Sequence, residues 1–160
     1  MTDDLWAGIT REALAAEEAE LRFASFTHDD AWAIGSALVA LGRERQLAIA
    51  IDITRSGQQV FHAALAGSTP DNDVWIQRKT RAVVRFWRSS LSLSLDARTS
   101  GKSLAESGEL DGQLFAAAGG CFPAHVEGCG VIGTITVSGL PQVEDHRLVV
   151  EVVRNFLRQP

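Results

Sequence analysis

From Leu47 the chain alternates. Leu47, Ile49, Ile51 and Ile53 fall on one side of an extended segment, and Ala48, Ala50, Asp52 and Thr54 on the other. Ser56-Gly57 interrupts the pattern, and a second run follows from about Gln59 to Leu65. Residues 47–65 therefore predict a β-hairpin with one apolar face and one face of small and polar groups. The same period recurs at Leu91, Leu93 and Leu95 with serines between, which predicts a half-buried strand. A further hairpin is predicted from a strand near Phe122–Val126, a turn at Glu127-Gly128, and a strand from Cys129 to Ser138.

Between these segments the period changes to that of helices. Residues 3–22 are rich in Ala, Glu and Leu and predict an N-terminal helix, with Leu14 and Leu21 on one face. Thr27 is placed to cap a second helix, with Asp29 and Asp30 in its first turn and Trp32, Leu38 and Leu41 as apolar contacts. Thr69, Pro70, Asp71 and Asp73 mark the start of a third, whose apolar stripe is Ile76, Val83 and Phe86/Trp87. A short helix is expected around Leu104. The last begins near Pro141, with Glu144 and Asp145 in its first turn and Leu148, Val149, Val152, Val153 and Phe156 on its buried face. Helix, hairpin, helix, strand, hairpin, helix is an order that makes an antiparallel or mixed sheet rather than parallel βαβ units.

A length of 160 residues, 46% of them hydrophobic, suits a single domain spanning residues 1–160 that buries its own core. A net charge of -5 argues against nucleic acid as a partner. No segment is long and apolar enough to cross a membrane, and the acidic N-terminus lacks the layout of a signal peptide. The expectation is a cytoplasmic protein. Cys121 and Cys129 lie too far apart in the predicted hairpin to bond, and two cysteines alone make a poor zinc site.

Few residues announce chemistry. The glycine-rich stretch at 119–139 contains neither GxxxxGK[ST] nor a GxGxxG between strand and helix, so turns and close packing account for it better than phosphate binding. Glu144, Asp145 and His146 are consecutive on a helix and point about 100° apart, so they cannot all face one ion. The two acids suit the helix dipole, and His146 is expected at the surface or an interface. Lys79 interrupts an apolar stripe one turn from Trp75; it must snorkel to water, the commoner outcome, or meet an acid or an anionic ligand, and if it stays inside Asp52 is the predicted partner. The four histidines lack HxH or HxxxH spacing, and no Ser-His-Asp order or paired catalytic carboxylates stand out.

Taken together, "AIDITRSGQQVF", "TPDNDVWIQRK", "GGCFP", "GVIGTITVSGLPQVEDH" and "VVEVV", in that order, resemble the haem-degrading-domain family, also called GlcG-like or HbpS-like. The resemblance covers residues 20 to 157 and is nearest to a compact single-domain branch that includes a yeast member. It implies an α+β fold, profilin-like, with three α/β/α layers around a central antiparallel sheet. It implies assembly into homodimers or larger rings, and haem or another small anionic ligand bound near a subunit interface. It also implies an alternative: a non-catalytic oligomeric scaffold docking a protein partner, since the yeast relative is linked to delivery of tail-anchored proteins. The positions that carry over as ligand-binding are Asn72, Asp73, Trp75, Lys79, Gly119, Gly120, Phe122, Pro123, Gly139, Glu144, Asp145 and His146. His146 and His125 are the candidate haem-iron ligands. The chain departs from the family at Ala118, where members commonly carry a histidine before the glycine pair.

Overall fold

In a computed structural model of the chain, which describes residues 2–108 and 110–160, the alternating segments form β1 (Ala50–Arg55), β2 (Gln58–Ala64), β3 (Cys121–Val126) and β4 (Gly130–Ser138). They make one antiparallel sheet in the order β2-β1-β4-β3. Register sorts the side chains into two faces. Ile51 lies beside Val137, and Ile53 and Phe122 flank Ile135; on the other face Asp52 and Cys121 flank Thr136, and Thr54 lies beside Thr134. The alternation read from the sequence is therefore real, and it runs across three strands.

The apolar face is covered by α3 (His28–Glu44) and α7 (Gln142–Leu157). They close a core that includes Phe23, Phe26, Ile34, Leu38, Val149 and Val153. The polar face lies under α4 (Pro70–Phe86), where the Thr80 hydroxyl reaches that of Thr136 at 3.4 Å. Layers on both sides of an antiparallel sheet give the α+β, three-layer arrangement. The predicted caps hold: Thr27 N–H donates to Asp30 at 2.7 Å while Asp30 N–H donates to the Thr27 hydroxyl at 3.1 Å. At α4, Thr69 N–H donates to Asn72 Oδ1 at 2.8 Å.

Two sequence expectations are corrected. The predicted strand at Leu91–Leu95 lies in α5 (Ser90–Ser100). Its serines are as buried as its leucines, so the alternation does not separate an inner face from an outer one. What makes those serines tolerable inside is hydrogen bonding. Ser89 caps the helix, Ser92 Oγ donates to Ser89 O at 2.8 Å, and Ser90 Oγ accepts from Cys121 N–H at 2.9 Å. The N-terminal helix predicted over residues 3–22 is two pieces, α1 (Thr2–Leu5) and α2 (Arg11–Glu20). Gly8 takes φ +80° between them and Thr10 starts a new helix, its hydroxyl accepting from Ala13 N–H at 3.1 Å. The short helix expected around Leu104 is α6 (Leu104–Gly108).

Candidate functional site

The lysine that interrupts the α4 stripe stays inside. Lys79 Nζ lies 3.1 Å from Asp145 Oδ2 and donates to Val137 O at 3.1 Å. Both side chains are almost wholly buried. Its partner is thus not the predicted Asp52, whose carboxylate on β1 is instead taken by Gln59 reaching across from β2. Asp145 stands in the first turn of α7 and also accepts from Leu140 N–H at 2.9 Å. The pair therefore ties α4 on one face of the sheet to α7 on the other, around the end of β4. Burial pushes the Asp145 carboxyl up to about 6, against the pull of the Lys79 ammonium and the backbone amides of Leu140 and Gly139.

The glycines of the motif make room for this pair. Gly120, at φ +123°, leaves no space for a side chain: a Cβ there would stand 2.8 Å from Lys79 Nζ, 2.9 Å from Asp145 Cβ and 2.5 Å from Val137 O. Gly119 packs against the backbone of Gln142, whose side chain accepts from Gly119 N–H at 2.9 Å.

Above the pair opens a cleft of about 280 Å³ between α4 and the β4–α7 corner, walled by Asn72, Trp75, Ala118, Gly139 and Gln142. Across Trp75, Ala118 and Gln142 it adjoins a second compartment of about 460 Å³, lined by Arg78, Phe115 and the alanines 116–118. The two form one groove with an apolar wall. Besides Lys79, which is paired with Asp145, its cationic group is Arg78, which stacks 4.4 Å over the Trp75 ring and donates through Nη2 to Gly112 O at 2.8 Å. Arg78 Nε is buried with no partner.

Of the sequence candidates, Asn72, Trp75, Lys79, Gly139 and Asp145 line the cleft, with Gly119 and Gly120 packed behind it. The rest lie elsewhere. Asp73 pairs with His62 at 2.8 Å, and Glu144 is exposed. Phe122 is in the core, and Pro123 is buried in β3. His146, expected at a surface or interface, is buried beside Phe122, its Nε2 2.7 Å from Glu17 of α2 and its Nδ1 without a partner. His125 is half-buried against Trp87. Cys121 is sealed under Thr136, and burial pushes its thiol up to about 12, so it is no nucleophile. Both cysteines are free thiols. Among the described residues no three His, Cys, Asp or Glu side chains gather as a metal site, and no helix is long and apolar enough to cross a membrane.

Arg78, Phe115 and Gln142 were not among the sequence candidates. Arg78 alone left a trace, as a cation one turn on from Trp75 (i, i+3) on the same helix.

Comparison with known proteins places this geometry. The family described as haem degrading protein HbpS-like matches residues 26–154. A UPF0303 protein of Streptomyces avermitilis is 54% identical over 147 residues, covering 92% of this chain and 90% of the relative. UPF0303 protein SCO2848 of Streptomyces coelicolor is 56% identical over 144 residues, covering 90% and 91%. Among solved structures the Ybr137w protein superposes with a TM-score of 0.89 at 28% identity, over 99% of this chain and 95% of that one. The PduOC:haem complex gives a TM-score of 0.67 at 15% identity, over 81% and 94%, a likeness of fold alone.

Proposed function

This chain belongs to the haem degrading HbpS-like protein family, and on that premise we propose that it is a cytoplasmic small-ligand-binding protein whose groove takes a flat organic anion. The observation that carries the reading is Arg78. A guanidinium that lines the groove, stacked on a tryptophan at the edge of an apolar wall and steadied by Gly112 O, is a partner for a carboxylate on a planar body. Trp75 and the alanines 116–118 supply the surface for that body.

Haem is the ligand class suggested by the family and by the relative whose structure is a haem complex. The groove fits part of it. Its wall suits the flat ring, and Arg78 suits a carboxylate. Among the described residues its lining holds no histidine, cysteine or methionine, and Ala118 stands where family members commonly place a histidine. His146 is engaged by Glu17 on the α7 side of the sheet, and His125 lies against Trp87. The residues present therefore do not fit a haem held through its iron.

The test is a fluorescence titration with metal-free protoporphyrin IX. Saturable binding is expected, weakened about tenfold by Trp75→Ala, because one stacked aromatic contributes on the order of 1–1.5 kcal/mol. An unchanged affinity in Trp75→Ala would remove the groove from consideration.

A second reading, a self-associating scaffold, is favoured by a separate observation. Trp87 and Val84, at the end of α4, are each 53% exposed, and Trp32 on α3 is 67% exposed, large apolar side chains that a partner subunit would cover. Light scattering is expected to give a multiple of the 17.2 kDa chain mass. A monomer at micromolar concentration would count against this reading and leave the groove untouched.

A further inference from the structure

The far end of α4 borders another cleft. Phe86 lies eleven residues beyond Trp75, about 16 Å along the helix axis. Here the start of α2, the end of α4 and the lengths of α5 and α6 frame a cavity of about 340 Å³. Ala97 and Leu104 are the dividing wall, touching both this cavity and the Trp75 groove.

Its charge runs against that of the molecule. The chain carries -5 overall, yet Arg11, Arg88 and Lys102 line this cavity with Asp96 as their counterpart. Asp96 is shared: its Oδ1 lies 2.8 Å from Arg11 Nη2 and its Oδ2 2.8 Å from Arg88 Nη1. One carboxylate between two guanidiniums leaves one positive charge over. The Arg88 contact is a hydrogen bond and orients that guanidinium, whereas the Arg11 contact is an ion pair by distance alone. Lys102 adds a second surplus charge, and among the described residues it forms no ion pair. Beside these cations stand Leu93, from the buried end of α5, and the ring of Phe86, which is 37% exposed. A concave site of this size with an apolar wall and a few convergent cations is how proteins hold small organic ions.

We propose that this cavity binds a small organic anion, a carboxylate on an apolar body about the size of one aromatic ring. The head meets Arg11, Arg88 and Lys102, and the body covers Phe86 and Leu93. Inorganic phosphate would satisfy the charge and leave the apolar wall in water, so it binds more weakly. The site is independent of the reading given for the Trp75 groove, since it shares none of that groove's cationic or aromatic groups.

The experiment is an NMR titration of the full-length chain with sodium benzoate, following backbone amides. Shifts are expected at Lys102 and Ser107, with phosphate needing higher concentrations for the same effect. Lys102→Glu is expected to raise the benzoate Kd about tenfold, and Lys102→Arg to leave it within about twofold. Lys102 is exposed, so neither change threatens the fold. Shifts confined to Gly119 and Gly139, in the other groove, would overturn the proposal. So would a Kd that Lys102→Glu leaves unchanged.

Discussion

Lys79→Met is expected to destabilise the protein by about 3–5 kcal/mol, while Lys79→Met/Asp145→Leu regains most of that loss. The asymmetry follows from burial. Removing the ammonium alone strands the Asp145 carboxylate between α4 and α7 with only backbone amides for company. Removing both groups leaves an apolar contact of similar volume. For a domain of this size the single variant should melt on the order of 10 °C below the parent. A double variant as unstable as the single one would show that the pair is not the tie between the two layers.

The same pair gives stability a pH signature. The folded pKa of Asp145, about 6, lies above its ordinary value of 3.8. The fold therefore holds this proton more tightly than the unfolded chain does. Its contribution is fully present below about pH 4, is lost as pH rises through 6, and is level above that. Denaturation across this range should show the parent losing stability relative to Asp145→Asn between pH 4 and 6. A difference that grows with pH over that window would reverse the assignment.

Gly120→Ala is the second large effect, about 3 kcal/mol or more. Two costs combine: a side chain at φ +123°, and a methyl group forced against Val137 O, Lys79 and Asp145. Gly128, in the β3–β4 turn at φ +75°, has open space around it. Gly128→Ala should then cost only about 1 kcal/mol, for conformation alone. Equal losses in chemical denaturation would mean that packing at Gly120 contributes nothing. The comparison explains why the glycine pair is part of the motif: at 119 and 120 glycine is needed for close approach, and the phosphate-loop reading finds no support in these contacts.

Much of the fold was legible because its signals are local. Ile51 and Ile53 against Asp52 and Thr54 define the two faces of the sheet, and Thr27 and Thr69 mark helix starts through bonds three residues long. The Leu–Ser alternation misled because period two reads as a strand only when one face meets water, and at Ser90–Leu95 neither does. The N-terminal break was written in Gly8 and Thr10, but helix propensity on both sides masked it. For the site, the lysine in an apolar stripe left snorkelling, an acid or an anionic ligand open, with snorkelling the commoner outcome, and the structure keeps it inside on an acid. Which acid could not be read, because the choice between Asp52 and Asp145 depends on where the β4–α7 corner brings the chain back. His146 misled for the same reason: its partner, Glu17, is 129 positions away. Ala118, where the sequence departs from the family motif it resembles, lines the groove itself.

If the groove holds a flat anion with no side chain on its metal, the metal should add little to binding. Parallel titrations with haemin and with metal-free protoporphyrin IX test it most directly. The expected result is dissociation constants within about threefold of each other, and a broad Soret band that neither His125→Ala nor His146→Ala alters. Haemin bound at least tenfold more tightly than the porphyrin, with a sharp Soret band lost in either histidine variant, would contradict it.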